Sequence, residues 1–232
     1  KYAIPVKIAS VDGAKLLGSS SVKIFAIDRV LYTTALRQKN FYLKTVFPTP
    51  YTGLHEWTMS YAIKLDRNKD NQAVLSPDFY SRVTADGALQ MKVGETDDPK
   101  AFAKTKLQPG KWYYIAWVYK NQHVRCYING VLDNEFDVPK VETFTKLNMS
   151  WGAFEGYVRE IRLYDKALTA FQIADNLYIE TPDNPDLLFY APLDKKTGIK
   201  DVSKKQNTIK VYVPGSGDGT EYDQSLITWS NE

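Results

Sequence analysis

This sequence is poor in the residues that most often carry out chemistry. Its 232 residues include one cysteine, Cys126, and two histidines, His55 and His123. A lone cysteine cannot form an internal disulfide, and Cys126 lies on the apolar side of an alternating segment, so we expect a buried thiol. A zinc site needs three or four converging ligands, which two distant histidines and one inward cysteine do not supply. We expect both histidines to be structural or surface residues.

Long apolar runs, a dense basic block and a leader peptide are also lacking. No apolar run approaches the length of a membrane-spanning helix, and no signal peptide is recognisable. The net charge is +3, and acids and turn residues interrupt the six lysines between positions 195 and 210, so a nucleic-acid partner is not implied. The chain starts at Lys1, already in strand-like sequence, and we expect it to be a processed piece of a longer protein.

Strand patterns dominate what the sequence does contain. Residues 57–65 alternate between large apolar and smaller or polar side chains, which predicts a strand with one buried face. Residues 112–119 form an almost unbroken apolar and aromatic run, long enough for a strand covered on both faces, so we expect its tryptophans to be core residues. Residues 124–128 alternate again and lead into Asn129-Gly130, a pair that tolerates the positive φ of a two-residue hairpin turn.

The two ends of the chain have different patterns. Residues 3–8 and 22–27 predict a β-hairpin with a long loop, which is barely stable by itself and must pair either with the domain that follows or with sequence upstream of this chain. Residues 30–39 are expected to link this hairpin to the larger, C-terminal part of the chain. Near the C-terminal third, Thr169 and Gln172 form a capping box that predicts one short helix reaching to about residue 178.

Two passages carry a resemblance to a known family. The run x-x-G-x-W-Y-x-I-A-x-V-Y followed by V-x-C-Y-I-N-G, within residues 107–136, resembles the laminin-G-like, concanavalin A-like lectin sandwich. The run G-x-V-x-E-I-R-L-Y-D-K-A-L-T from Gly156 resembles the strand and short helix of the same family. The resemblance covers roughly residues 40–213 and implies an all-β jelly-roll of two antiparallel sheets, with one short helix near the C-terminal third.

The hairpin at the start carries a second resemblance. It is similar to the last strands of an N-terminal β-sandwich domain common in surface lipoproteins of Bacteroides-type bacteria. We therefore predict two units: residues 1–35, the terminal strands of such a domain, and residues 36–232, the laminin-G-like sandwich.

These resemblances imply recognition rather than catalysis. The setting they imply is a non-catalytic carbohydrate-binding module of a cell-surface, outer-membrane lipoprotein, which captures glycan for uptake. Its signal and lipid anchor would lie outside this chain, and a Sus-type outer-membrane transporter complex would be a partner. The alternative is a structural or protein-interaction subunit that docks on that transporter without binding sugar.

Hydrolases among the relatives of this sandwich carry E-x-D-x-x-E on the catalytic strand, which brings two carboxyl groups to about 5–5.5 Å for retaining hydrolysis. Residues 95–100 and 135–140 come near this pattern, but each has lysine in the last position and proline in the fifth. Because proline breaks a central strand, we expect these acids to lie in loops that follow strands, and we predict that the protein is not an enzyme.

Calcium is the one cofactor that the resemblance suggests. Asp66, Asn68 and Asp70 place oxygen atoms at alternate positions, as an EF-hand loop does. However, Asn71 stands where the sharp turn needs glycine, and Pro77 where a bidentate glutamate belongs, so a polar loop between strands is the favoured interpretation.

Sugar sites combine aromatic faces with polar groups that pair with hydroxyls, and loop aromatics are the natural candidates. Many laminin-G-like relatives have an acidic residue before the glutamate of the E-I-R strand, where this chain has Arg159, which lowers the expectation of calcium there. A structural role competes with ligand contact at every candidate position. The candidate ligand-binding residues are Trp151, Tyr157, Arg159, Tyr80, Asp78 and Tyr51.

Overall fold

A computed structural model describes residues 2–9, 16–24, 34–38, 40–70, 72–92, 102–149, 154–177, 181–214 and 220–231. Trp151 and the acidic segment 95–100 lie outside the described residues. The chain divides into two compact units, residues 1–32 and 33–232. Within the described parts of the chain, no helix is both long and apolar enough to span a membrane.

The first unit contains an antiparallel pair of strands, β1 (Tyr2–Ala9) and β2 (Leu16–Ile24). The predicted hairpin is confirmed, with Tyr2 opposite Ile24 and Ile8 opposite Gly18. Its second strand starts at Leu16 rather than at Val22, so the serine stretch predicted as loop is part of the ladder.

The second unit is built almost wholly from strands, which confirms the predicted all-β class. The elements are β3 (Thr34–Gln38), β4 (Tyr42–Tyr51), β5 (Glu56–Leu65), β6 (Gln72–Pro77), β7 (Tyr80–Val83), β8 (Ala88–Lys92), β9 (Phe102–Lys106), β10 (Trp112–Lys120), β11 (His123–Ile128), β12 (Val131–Asp137), β13 (Phe144–Met149), β14 (Gly156–Tyr164), α1 (Ala170–Asp175), β15 (Leu187–Ala191), β16 (Ile209–Tyr212), a 3₁₀ turn (Gln224–Leu226) and β17 (Trp229–Asn231).

Two antiparallel sheets form the sandwich. The eight-stranded sheet has the order β12-β11-β10-β5-β14-β3-β17, with β15 also paired to β14. The seven-stranded sheet has the order β16-β4-β13-β6-β7-β8-β9. The segment 30–39, expected to be a linker, contributes β3 to the first sheet, because its backbone fills the gap between β14 and β17.

The core lies between the inner faces of the two sheets. Trp57 and Trp117 are both 0% exposed, as predicted. Trp57 stacks on Tyr119 with ring centroids 5.2 Å apart, and Trp117 donates its indole N–H to the Ser81 hydroxyl at 2.9 Å. Cys126 is also 0% exposed, and burial raises the pKa of its thiol well above the ordinary value, which confirms the expected buried thiol.

The turn after β11 has the predicted conformation. Asn129 and Gly130 have φ values of 52° and 82°, which is the region that a two-residue hairpin turn requires. The Asn129 side chain also accepts a hydrogen bond from the backbone N–H of Tyr114 at 2.9 Å. This contact ties the hairpin tip to the start of β10.

The outer face of the eight-stranded sheet is partly covered as well, so β5 is buried on both faces rather than on one. The capping box of Thr169 and Gln172 is present, and α1 starts after it and ends at Asp175, earlier than predicted. Thr58, on the outer face of β5, is 0% exposed and donates to the backbone oxygen of Lys166 at 2.6 Å. The chain segment at Lys166 thus covers the middle of the sheet. Lys64 and Trp112 lie at the other end of their strands, away from this segment.

Candidate ligand-binding site

A row of alternating cationic and aromatic side chains crosses four strands on the outer face of the eight-stranded sheet. Tyr157 on β14 is directly opposite both Arg37 on β3 and Lys64 on β5. Lys64 is in turn opposite Trp112 on β10. Their sequence neighbours point into the core, so alternation directs all four side chains outwards. Arg159, two residues along β14, shares this face, and we call the five residues the cation–aromatic row.

The cationic groups of the row lie over its rings. The Lys64 ammonium is 4.7 Å from the ring centroid of Tyr157 and 5.7 Å from that of Trp112. The Arg37 guanidinium lies 4.9 Å from the Tyr157 ring, and the Arg159 guanidinium 4.3 Å from the Trp112 ring. These separations are within the range of favourable cation–π attraction, so the rings hold the charges in defined positions.

The carboxylate of Asp66 adjoins the row. Asp66 accepts a hydrogen bond from Arg37, whose other terminal nitrogen donates to the Gly156 backbone oxygen at 3.1 Å. Lys64 is only 7% exposed. Burial lowers its pKa, Asp66 opposes this effect, and the nearby Arg159 and Arg37 guanidinium groups lower the pKa further.

Glycine at position 156 permits the close strand approach beside the row. A Cβ atom there would lie 2.3 Å from the backbone oxygen of Lys64, far inside van der Waals contact. Because backbone cannot move aside as a flexible side chain can, only glycine lets β14 pair with β5 at this point. The row therefore depends on a glycine that contributes no side chain to it.

The predicted site residues do not all come together. Tyr157 and Arg159 belong to the row, whereas Tyr51 and Tyr80 belong to strands of the other sheet. The Tyr51 ring packs on Phe47 at 4.7 Å, and its hydroxyl donates to the Leu188 backbone oxygen at 3.2 Å. Ligand contact by Tyr51, Tyr80 and Trp151 stays a prediction.

Asp78 lies at a different place, in a surface depression of about 250 Å³. Its carboxylate accepts a hydrogen bond from the backbone N–H of Thr145 at 3.1 Å. Burial raises its pKa, and the Thr145 N–H opposes that rise. Glu142, on the same depression, is paired with Lys140 at 2.8 Å and with His55 at 3.1 Å. These contacts join the start of β13 to neighbouring loops. The carboxylates of Asp78 and Glu142 in the depression are therefore already hydrogen-bonded or ion-paired within the protein.

The residues present do not fit a calcium ion at the positions that the sequence suggested. In the part of the chain that the structure describes, no group of three or more histidine, cysteine or carboxylate side chains has an arrangement that could hold a metal ion. Asp66 pairs with Arg37, and the Asn68 amide donates to the Leu107 backbone oxygen at 3.4 Å. Arg159 stands where the resemblance implies an acid, and its positive charge disfavours a cation at that position.

The acids of segment 135–140 do not lie in a loop, contrary to expectation. Glu135 and Asp137 are in the edge strand β12, because Asp137 pairs with His123 across the ladder to β11. Both carboxylates contact the His123 ring, Asp137 at 2.8 Å and Glu135 at 3.5 Å. The hydrogen bond that the His123 ring donates to Asp137 is the main cause of the raised His123 pKa. His123 is thus a surface residue with two acidic partners.

Sequence reasoning missed three members of the row. Trp112 was expected in the core, but it is only partly buried and packs at the margin of the outer cluster. Arg37 lies in the segment 30–39, for which the sequence predicts a linker. For Lys64 the sequence offers one signal, a charged residue on the outer face of a strand whose neighbouring residues are apolar or small. That signal becomes informative only when the cross-strand neighbours of Lys64 are known.

Comparison with known proteins places these features in context. The family model described as the concanavalin A-like lectin/glucanases superfamily matches residues 40–174. A solved structure from Bacteroides ovatus, named "putative carbohydrate binding protein", has a TM-score of 0.65 and 20% identity over 86% of this chain and 67% of its own. The native heptameric SAP-like pentraxin from Limulus polyphemus has a TM-score of 0.53 and 14% identity over 80% of this chain and 97% of its own. At these identities the two structures establish the fold alone. A comparison with curated proteins finds no match.

Proposed function

Because this chain belongs to the concanavalin A-like lectin/glucanases superfamily, we propose that it is a non-catalytic carbohydrate-binding module of a cell-surface lipoprotein that captures glycan for uptake. The Bacteroides ovatus protein, similar over most of this chain, carries carbohydrate binding in its name and supports this assignment. The fold alone does not fix the function, so the assignment rests on the site.

The cation–aromatic row is the observation that carries the proposal. It presents two partly buried rings and three cationic groups side by side on an outer sheet face. Four adjacent strands at about 4.8 Å spacing give the row a length of about 14 Å, which suits a short stretch of polysaccharide. Its side chains are held by cation–π contacts and by rigid strands, so little conformational entropy is lost on binding.

Binding without catalysis is supported by the positions of the acids. A glycoside hydrolase needs two carboxyl groups facing one sugar bond, one of them protonated. Asp66, a carboxylate that adjoins the row, is ion-paired with Arg37. Glu135 and Asp137 instead face His123 on an edge strand. We accordingly expect no release of reducing ends from any glycan that binds.

The cellular setting is part of the proposal. The N-terminal hairpin resembles the end of a domain that precedes such sandwiches in surface lipoproteins, which motivates an outer-membrane location with a lipid anchor outside this chain. Glycan captured at that surface would pass to a Sus-type transporter complex. Localisation by surface proteolysis of intact cells tests this part separately from sugar binding.

A glycan array probed with the full chain, once with calcium and once with EDTA, tests the binding function. We expect calcium-independent hits that are lost in Trp112→Ala and retained in Phe171→Ala, a matched aromatic control that is 79% exposed on α1. Trp151→Ala tests the remaining tryptophan candidate in the same assay. Thermal melts must first show that each variant is folded. A silent array, or hits that survive Trp112→Ala, would contradict the proposal.

A second function, docking on the transporter without sugar, is favoured by one observation. Phe171 on α1 is 79% exposed, and Val131 and Leu132 on β12 are 69% and 47% exposed. The helix packs against β12 and against the turn that precedes it, where a Cβ atom on Gly130 would lie 3.4 Å from the Ala174 Cα. Exposed apolar side chains that adjoin one another are a feature of protein contact surfaces. A silent array together with capture of the transporter complex that is lost in Phe171→Asp would favour this function.

A further inference from the structure

A lysine-rich loop joins β15 to β16. Residues 194–207 contain five lysines, no arginine and no aromatic residue, and we call them the lysine loop. All five lysine side chains are exposed. Lys195 has a further interaction within the chain, so it does not count as free charge. The remaining lysines of the loop are Lys196, Lys200, Lys204 and Lys205.

The acids of the lysine loop point inwards, although Asp201 interrupts the lysines in the sequence. Asp201 is 7% exposed, and its carboxylate accepts hydrogen bonds from the backbone N–H groups of Tyr190 at 3.0 Å and Asn207 at 2.8 Å. Asp194 is 2% exposed and accepts from the backbone N–H of Thr197 at 2.8 Å. The outer surface of the loop therefore presents lysines without carboxylates of its own.

Contacts to both sheets fix the lysine loop in place. The Asn207 amide donates to the Leu188 backbone oxygen on β15 at 3.1 Å. Directly after the loop, the Thr208 backbone oxygen accepts from the Thr45 hydroxyl on β4 at 2.5 Å. Ile199, within the loop, packs on the main core. Because the backbone is anchored at these points, the lysines project from one defined surface rather than from a free tail.

Three lysines of the loop have no acidic partner within the described residues. No ion pair in that part of the chain includes Lys196, Lys200 or Lys204. These three follow one another at intervals of four residues, which is at most about 14 Å of chain. Lys205 has an acidic neighbour, since burial raises the pKa of Asp165 and the Lys205 ammonium opposes that rise. The uncompensated charge therefore lies on Lys196, Lys200 and Lys204.

Lysines without arginine or aromatic neighbours favour an anionic lipid surface over other polyanions. Sugars and single-stranded nucleic acids are bound largely through aromatic faces, and arginine supplies the paired donors that fit a single phosphate or carboxylate. An anionic membrane requires no such fit, because its surface potential attracts each nearby lysine. The composition of the lysine loop meets this one requirement and not the others.

We propose that the lysine loop contacts a membrane surface that carries anionic phosphate headgroups. Lys196, Lys200 and Lys204 face the headgroups, and Lys205 lies at the margin of the contact, beside Asp165. A single acyl chain gives only reversible membrane binding, which a basic patch strengthens. The loop would thus hold the sandwich against the membrane beside the proposed lipid anchor. This inference goes beyond sugar capture and does not depend on it.

Co-sedimentation of the full chain with lipid vesicles tests the inference. Vesicles of phosphatidylcholine alone are neutral, whereas vesicles with about 30% phosphatidylglycerol carry a negative surface potential. Soluble polyphosphate, added as a competitor, offers phosphate charge without a lipid surface. Each measurement is made at two salt concentrations, since screening weakens contacts between exposed charges.

Two double variants separate the loop from overall charge. Lys200→Gln/Lys204→Gln removes two charges from the loop. Lys69→Gln/Lys111→Gln is the matched control, because Lys69 and Lys111 are exposed lysines in other turns and have no ion pair within the described residues. All four side chains are exposed, so we expect both variants to fold, and thermal melts check this.

We expect about half of the chain to sediment with anionic vesicles at roughly millimolar lipid and low salt, and little with neutral vesicles. Each lysine near the surface changes binding about fivefold, so Lys200→Gln/Lys204→Gln should weaken it about 25-fold. Lys69→Gln/Lys111→Gln should weaken it less than about twofold.

Three results would overturn the inference. The first is equal binding to neutral vesicles or no binding to either kind. The second is an equal loss in the control variant, which would show that net charge alone is responsible. The third is polyphosphate binding at least as tight as vesicle binding, which would identify a soluble phosphate polymer as the ligand. Sugar binding would stand in each case, because the glycan array tests it separately.

Discussion

A buried ion pair beside the covered middle of the sheet leads to the sharpest stability prediction. Arg162 on β14 is 0% exposed and pairs with Glu160, which sits at a bulge with φ 57°. Arg162 also donates to the Asn176 backbone oxygen at 2.5 Å, and the Tyr190 hydroxyl donates to Glu160 at 2.8 Å. The guanidinium lies 5.8 Å from the ring of Tyr114 and 5.2 Å from that of Tyr190.

Glu160→Gln keeps the shape of this cluster and removes the counter-charge. The guanidinium of Arg162 then stays buried without compensation, which costs about 3–5 kcal/mol. At about 2–4 °C per kcal/mol for a domain of this size, the melting temperature should fall by about 6–20 °C. The double variant Glu160→Gln/Arg162→Met should be more stable than Glu160→Gln alone, because the apolar side chain no longer needs a partner.

Urea unfolding followed by tryptophan fluorescence measures these differences in the sandwich, since all five tryptophans lie after residue 33. Glu56→Gln is the control, because it breaks an exposed pair with Lys120 at 2.9 Å and exposed pairs contribute less than about 1 kcal/mol. A Glu160→Gln cost no larger than that of Glu56→Gln would refute the reasoning, as would a double variant less stable than Glu160→Gln.

Individual features of the structure lead to four further predictions. Gly156→Ala should destabilise the sandwich by about 1–3 kcal/mol in urea unfolding, because its Cβ would lie 2.3 Å from the Lys64 backbone oxygen; an unchanged midpoint would contradict this. The His123 pKa should exceed its ordinary value in an NMR titration and fall in Asp137→Asn. Because the folded pKa is raised, the stabilisation from His123 should be complete below the unfolded pKa and should disappear as pH rises through the folded pKa. Cys126 should react with a thiol reagent only at the rate of unfolding, since its thiol is buried; rapid native labelling would contradict that burial. EDTA should leave the melting temperature unchanged, and a drop reversed by calcium would show a metal site.

Local sequence rules predicted those elements whose causes are local. Asn129 and Gly130 set their own turn, and Thr169 with Gln172 sets the start of α1, because each acts through backbone a few residues away. The alternation in β5 identified its inner face correctly. It could not show that Thr58 on the other face is covered, because that cover comes from a backbone segment more than one hundred residues later.

The sequence predicts only part of the candidate site, because contacts between residues distant in sequence determine the rest. Tyr157 and Arg159 drew attention by their place in a recognisable strand, but Arg37 and Lys64 become partners of Tyr157 only through pairing across three strands. The unbroken apolar run in β10 indicated a covered strand, yet it did not reveal that the cover leaves Trp112 partly exposed. Arg162 and Glu160 show the same limit, since charged residues are rarely buried without a partner and the sequence does not reveal the pairing.

Sugar binding on the cation–aromatic row is the central claim. Titration of the ¹⁵N-labelled chain with a fragment of the glycan that binds on the array, followed by two-dimensional NMR, tests that claim most directly. Binding on the row predicts saturable shifts of the Trp112 indole N–H and of the backbone amides of Lys64, Tyr157 and Arg159, while the amides of Asp78 and Phe171 stay in place. Shifts confined to the depression around Asp78, or no saturable shift in the row, would contradict it.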